Sequence, residues 1–487
     1  MNIKSILSAS LALTGFCNQP CFAQKPNILF ILVDDMQSDA ICALGNKDVE
    51  TPFIDGLIRR GVTFTHTYTN GALCGALSMP SRAMLISGRG VFEVQSDGLK
   101  IPECHTTLPE QLRKNGYQTF ATGKWHSDKA SFNRSFASGE NIFLGGMHTY
   151  ETNGHCSPLL RHYDPTGAYN EKAFVGTDFS SKMFADATVN FLDSVKADKQ
   201  PFMAYVAFTS PHDPRNQLPD YGKKYIANRL SVPVNFLPQH PFDNGELTVR
   251  DEQVLPTPRT AAQIQKELAF YYGMVSEVDF QIGRILKKLE ETGESKNTII
   301  VFASDNGLAM GQNGLLGKQS LYDHSVGVPL AIIDPRSKVA GKRSDALCYL
   351  YDIYPTLCDL VGVDIPSSVT GRSLKKIMEG RQTTHRESLF LAYSNLQRGL
   401  IYNGYKYIIY NVEGKITEQL FNLKQDPWEM KNIADKELHL TAAYRKRLSE
   451  EMKRNNDFCD LNSPTWWKDG HKLTWDELIK LYVFDEK

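Results

Sequence analysis

The chain has no excess of charge of either sign: 54 lysines and arginines face 55 aspartates and glutamates, for a formal net charge of −1. A groove that neutralises nucleic-acid phosphates needs a concentrated basic face, so no nucleic-acid partner is expected. No apolar run approaches the roughly 20 residues of a membrane-spanning helix, so no membrane span is expected. No Pro/Gly/Ser-rich linker divides the chain, and no internal repeat or low-complexity tract organises it. Beyond its first residues the cysteines, at positions 42, 74, 104, 156, 348, 358 and 459, are too irregularly spaced for a disulfide framework or a zinc ligand set. Cys74, close to Ser78, reads as a small buried hydrophobe.

What is present begins with an export signal. Lys4 supplies a positive start, residues 6–16 a short apolar stretch and Cys21-Phe22-Ala23 a small-x-small cleavage site. This predicts a signal peptide over 1–23 and an exported protein, with the periplasm as the first expectation. Cys17 as a lipid-attachment residue would make a surface lipoprotein, although Phe16 stands where a small residue is usual; full secretion is the other alternative. With 487 residues and 41% hydrophobic content, the chain can bury a large core. One big domain, 24–386, and a smaller C-terminal subdomain, 387–487, are expected.

Strand-like and helix-like patterns alternate after the signal, which predicts an α/β domain with a large, mostly parallel sheet flanked by helices. Strands are expected at 27–33, 119–122, 202–208 and 298–304, and helices at 53–60, 78–87, 107–115 and 178–195. The longest periodic element starts near Thr260, with Ile264, Leu268, Tyr271, Val275, Val278, Ile282, Ile285 and Leu289 at alternating spacings before Gly293. A helix laid across the sheet accounts for this stripe better than a coiled coil, given α/β flanks. Residues 130–176 and 214–258, rich in Asn, Gly, Ser and Pro, break the alternation and are expected as long loops walling a pocket. From about Glu387, short alternating segments at 388–392, 399–402, 405–410 and 418–422 precede a helix over 440–455. They predict an α+β subdomain with a small antiparallel sheet, closely joined to the main domain.

In open α/β sheets ligands bind beyond the carboxyl ends of strands, where Asp34-Asp35 and Asp305-Asn306 both stand. Each pair alone could be a turn former or helix cap. Together their oxygens suit one hard cation, with calcium favoured over magnesium for an irregular cage of several carboxylates. Pro80 suits the first turn of a helix, which puts Ser78 at a mouth that favours negative charge, with Arg82 one turn on. Lys124, His126, His212 and Lys318 complete a metal site joined to an anion site.

These residues stand in Pro26-Asn27-Ile28 through Asp34-Asp35, Ser78-Met79-Pro80-Ser81-Arg82 with 85–89, Gly123-Lys124-Trp125-His126, Ser210-Pro211-His212, and Ser304-Asp305-Asn306-Gly307. Gly317-Lys318, Val328-Pro329, 352–356 and 423–427 follow in order. With these motifs the chain resembles the formylglycine-dependent (type I) sulfatases of the alkaline phosphatase superfamily over nearly its whole mature length. The resemblance implies an alkaline-phosphatase-like fold, a catalytic domain over 24–386 and hydrolysis of sulfate esters. Ser78 would be oxidised to formylglycine by a maturation enzyme. One hydroxyl of the hydrated aldehyde would attack sulfur and displace the alcohol; the second would lose its proton as the aldehyde reforms and sulfate leaves, an exit that a plain serine ester lacks. Asp34, Asp35, Asp305 and Asn306, with formylglycine 78, would hold one Ca2+. Arg82 and Lys124 would order residue 78, Lys124 and Lys318 would bind sulfate oxygens, His126 would act as base and His212 as acid.

Serine instead of the commoner cysteine at 78 resembles the bacterial variant matured by a radical-type, oxygen-independent enzyme. Ser127-Asp128 stand where Leu-Gly is usual, and Asn313 where many relatives carry histidine; both bear on substrate choice. Arg215, Asp323 and His324 closely follow catalytic elements and are expected to contact sugar hydroxyls. Exported bacterial sulfatases with long polar loops resemble those acting on sulfated sugars of mucins or glycosaminoglycans, so a sulfated carbohydrate is the expected substrate. Two alternatives stay open: a phosphoesterase or phosphotransferase of the same superfamily, and a non-catalytic exported glycan-binding protein.

Overall fold

The computed structural model describes residues 25–463 except 95–97, 150–152, 197–199, 217 and 458; the signal segment 1–23 and Cys17 lie outside the described residues. The main sheet runs in the order 342–344, 62–68, 327–333, 298–304, 27–33, 202–207, 118–124, 138–143, with 348–349 also paired to 62–68. Asn27–Val33 lies at its centre, parallel to both Phe202–Ala207 and Thr298–Ser304. Gly327–Ile333 runs against its two neighbours. The sheet is therefore mostly parallel, as the alternating pattern predicts.

Strands buried on both faces read as continuous apolar runs. In Asn27–Val33, Leu29, Ile31 and Val33 enter one core while Ile28, Phe30 and Leu32 enter the other. The first core is covered by Ala261–Glu291, whose eight stripe residues are all buried in it, together with Pro52–Arg60 and Ser180–Ser194. The long helix thus lies on the sheet. A capping box between Thr260 and Gln263 starts it and Gly293, in the left-handed region, follows its end. Ser78–Ser87, Leu108–Lys114 and Ile353–Val361 cover the opposite face.

One expectation is corrected. Residues 130–176 are not one loop: they contain the helix Lys129–Ser135 and the edge strand Ser138–Phe143. Pairing along a single side tolerates the polar start of that strand, which hides it from a periodicity reading. The small antiparallel sheet forms as expected. Ser388–Tyr393, Gln397–Tyr402, Tyr405–Val412 and Lys415–Asn422 pair antiparallel in sequence, and Gly71–Ala72, from far earlier in the chain, adds a short parallel strand to the edge. Among the described residues no helix is long and apolar enough to cross a membrane.

Candidate active site

The carboxyl edge of the parallel strands assembles the chemistry. Val33 leads into Asp34 and Asp35, Ser304 into Asp305 and Asn306, and Ala207 into the segment carrying His212; Lys124 ends its own strand. Parallel pairing puts these ends at one edge, and Ser78–Ser87 brings its first residue to meet them. The Ser78 hydroxyl donates to Asn306 Oδ1 (2.8 Å), lies 3.4 Å from Asp34 Oδ1 and accepts from Lys318 Nζ (3.0 Å).

Three cations interleave with three carboxylates, all buried. Lys124 Nζ donates to Asp34 Oδ2 (2.7 Å), Lys318 Nζ to Asp35 Oδ1 (2.6 Å) and Arg82 Nε to Asp305 Oδ2 (2.8 Å). Arg82 also donates to the carbonyl of Lys124 at 2.9 Å, tying helix to strand. Burial works against the Asp34 charge, but Lys124, His212, Arg82 and Lys318 together hold its carboxyl well below the usual range. Asp305 goes the other way, pushed up to about 7 by burial and by Asp34. Burial lowers Lys124, while Asp35 and Asp34 outweigh burial at Lys318 and raise it.

One carboxylate oxygen of each of Asp34, Asp35 and Asp305 lies within 4.8 Å of the others. Asp35 Oδ2 is buried without a hydrogen-bond partner. An orphaned buried carboxylate oxygen within an all-oxygen donor set fits a hard cation such as calcium. Asp35, His212 and Asp213 form a second such grouping, but both Asp213 oxygens accept from the Arg250 guanidinium, which supplies the charge another ion would have brought.

The two histidines differ in state. Burial, with Lys124 and Arg82 beside it, holds the His126 imidazole well below its usual pKa and therefore neutral. Its backbone is left-handed (φ 70°), and a side chain at Gly146 would meet its Nε2 at 2.7 Å. His212 is raised: burial opposes its charge, but Asp35 and Asp213 prevail. Its Nδ1 sits 2.7 Å from the Asp213 carbonyl and 2.9 Å from Asp213 Oδ1, which turns Nε2 toward Asp35 Oδ2 at 3.5 Å.

Asp34, Asp35, Ser78, Arg82, Lys124, His212, Asp305, Asn306 and Lys318 are thus joined in one network, with His126 beside Lys124. The other three expected residues bond elsewhere. Arg215 pairs with Glu267, Asp323 accepts from Lys406 (2.6 Å) and the Tyr68 hydroxyl (3.1 Å), and His324 lies 3.4 Å from Ser320 Oγ. Sequence reasoning passes over several supporting residues. Arg250 bridges Asp213 and Asp251, and Gln319 joins Asp251 to the backbone of Lys318, so one chain of bonds links His212 to Lys318. His155 Nε2 lies 2.9 Å from the His212 carbonyl, and His148 Nε2 lies 3.1 Å from Thr209 Oγ1. The one sequence signal for this shell was the adjacency of Asp213 to His212; Arg250, His148 and His155 come from the two long polar stretches.

A family model described as Sulfatase matches residues 26–363, and one described as N-sulphoglucosamine sulphohydrolase, C-terminal, matches residues 311–457. An N-acetylglucosamine-6-O-sulfatase from Bacteroides thetaiotaomicron is 27% identical, over 91% of this chain and 88% of its own. An arylsulfatase from Clostridium perfringens is 28% identical, over 90% and 97%. A solved structure of a protein in complex with its substrate D-glucosamine-2-N,6-O-disulfate superposes with a TM-score of 0.72 at 24% identity, over 90% of this chain and 99% of that one. The phosphonate monoester hydrolase of Agrobacterium radiobacter does so with 0.70 at 22%, over 88% and 96%. At these identities the two structures establish a shared fold.

Proposed function

The chain belongs to the sulfatase family and is a sulfuric ester hydrolase, and we propose that its substrate is an O-sulfated carbohydrate, cleaved with the help of formylglycine made from Ser78 and one bound Ca2+. The observation that carries this reading is the Ser78 hydroxyl bonded to both Asn306 and Lys318, with Asp34 at 3.4 Å, beside an Asp35 oxygen that accepts no hydrogen bond. Asp34, Asp35, Asp305 and Asn306 would hold the ion, which supplies positive charge where a nucleophilic oxygen loses its proton. Formylglycine supplies a second hydroxyl, through which sulfate can leave without a stable ester.

The chain's own residues do the rest. Lys318 and Lys124 are fixed point charges for sulfate oxygens, and their partners Asp35 and Asp34 hold them in place before substrate arrives. His212, anchored through Nδ1 and raised in pKa, presents Nε2 as a proton donor to the departing alcohol oxygen. His126, held neutral, can accept a proton from residue 78. Arg82 pins Asp305 and the carbonyl of Lys124, and so sets where helix and strand meet. The bacterial glycan-sulfatase relative supports the carbohydrate class, and the amino-terminal signal supports export to the periplasm.

The test is maturation. Coexpression with a serine-type, oxygen-independent maturation enzyme should lower the mass of the Ser78 peptide by about two units, the two hydrogens lost. The same protein, supplied with Ca2+, should release inorganic sulfate from sulfated mono- and disaccharides of mucin or glycosaminoglycan origin. Equally fast release by Ser78→Ala would overturn the reading.

A further inference from the structure

A cavity of about 240 Å3 opens among the residues following Asp35, the outer end of Val62–Tyr68, and segments 323–328 and 427–429; none of the nine networked residues of the candidate active site lines it. Its volume equals that of about eight waters at roughly 30 Å3 each, enough for one monosaccharide ring.

Its lining has three relevant properties. First, it holds buried polar groups awaiting a partner. Asn235 is 7% exposed; its amide nitrogen donates to Asn313 Oδ1 and the Trp428 carbonyl, both at 2.9 Å, which locks Oδ1 as an acceptor with no donor. His324 is 8% exposed, stacks on Tyr322 and leaves Nδ1 unpartnered. Each such group is destabilising while unmet. Second, Trp428, 39% exposed beside Pro427, offers an apolar surface at the rim. Third, Asp39, Asp323 and Glu429 line the cavity with Gln37 and Gln312, and no lysine or arginine does.

That charge pattern selects the ligand. A sulfate or uronate would face the Asp39 carboxylate and find no cation to pair with, since no lysine or arginine lines the cavity and Lys406 behind it is already held by Asp323 and Glu429. A metal ion is also unsuited: Lys406 already neutralises Asp323 (2.6 Å) and Glu429 (2.8 Å), and among the described residues the only groupings of three or more potential metal ligands are the two at the catalytic cluster. Carboxylates and amides that accept from hydroxyls, two unmet buried polar atoms and an aromatic face suit a neutral sugar ring. We propose that this cavity binds a neutral pyranose of the glycan, bearing neither sulfate nor carboxylate, as a subsite separate from the one that holds the sulfated unit at Ser78. The proposal rests on the carbohydrate reading above.

Ligand-observed NMR on the full chain tests it, with lactose and N-acetyllactosamine as probes. Wild type should bind at least one of the two, and Trp428→Ala and Asp39→Asn should each weaken that binding at least tenfold with an unchanged thermal midpoint. A crystal of wild type soaked in the bound disaccharide should show a ring against Trp428, which keeps the test decisive if a variant fails to fold. Binding of neither sugar, variants that bind like wild type, a ring elsewhere, or occupation of the cavity only by calcium or methylammonium would overturn it. Binding is read without turnover, so failure of the sulfatase reading would appear separately, in sulfate release.

Discussion

Asp35 and His126 share a left-handed backbone, with φ of 62° and 70°. Non-glycine residues rarely hold that conformation, and it concentrates where surrounding structure overrides the local preference to aim a side chain. At Asp35 the override is visible: its N–H donates to Asp305 Oδ1 and its carbonyl accepts from the Tyr271 hydroxyl of the long helix. The role of His212 makes the sharpest test at this scale. A proton donor matters most when the departing alcohol is a poor leaving group, and such donors contribute about 10²–10⁴-fold. His212→Ala should lose that much in kcat/KM on a sulfated sugar and less than tenfold on an activated aryl sulfate; equal losses would remove it from the acid role. Asp35 was legible because it closes an apolar run, and His126 and His212 because they stand in the short motifs Gly123-Lys124-Trp125-His126 and Ser210-Pro211-His212. The bonds from His212 through Asp213, Arg250, Asp251 and Gln319 were not, because 37 residues separate Asp213 from Arg250 and only folding brings them together.

Among the elements, the strand Gln118–Lys124 shows how backbone geometry delivers the Lys124 side chain to the buried cluster. Its pairing with Ser138–Phe143 shifts register between Ala121 and Gly123, and Gly123 takes a φ of +86° there. A Cβ at Gly123 would lie 1.9 Å from the carbonyl oxygen of Ala207 on the neighbouring strand. Gly123→Ala must therefore push the strands apart immediately before Lys124. Destabilisation of about 2 kcal/mol or more, measured by urea unfolding, is expected together with a loss of sulfate release larger than the loss of folded protein. Elements with strong periodicity were read nearly to their ends: Thr298–Ser304 and Ser78–Ser87 have the bounds the pattern predicts. Ser138–Phe143 was not, because an edge strand with exposed polar residues carries no alternation to read.

In the whole molecule, the small sheet is tied to the rest by shared bonds as well as by the parallel pairing of Gly71–Ala72 with Ser388–Tyr393. Asp352, fully buried, accepts from Arg386 (2.9 and 2.5 Å), from His385 (3.2 Å) and from the backbone of Arg372 (2.7 Å), fixing the segment that enters the small sheet. Burial opposes its charge, but Arg386 and His385 outweigh burial and hold its carboxyl well below the ordinary range. Below the ordinary carboxylate pKa of about 4 the unfolded chain takes up a proton that the folded chain refuses. The stabilisation is thus present at neutral pH and is lost as pH falls toward the depressed folded value. Asp352→Asn should cost about 3–5 kcal/mol at neutral pH, as broken buried pairs do. Its difference from wild type in unfolding midpoint should shrink from pH 5 toward pH 3, and a constant difference would refute the account.

The sequence by itself determined the α/β class, the central strands, the long helix and the residues at the strand ends, because hydrophobic periodicity and short motifs are local properties. It did not determine that Arg215, Asp323 and His324 would bond elsewhere, that Arg250 would clamp Asp213, or that Asn235 and Trp428 would meet His324 around one cavity. Those outcomes depend on which distant segments pack together, and local patterns carry no distance between them; only the assembled sheets, with the helices and loops packed on them, supply it.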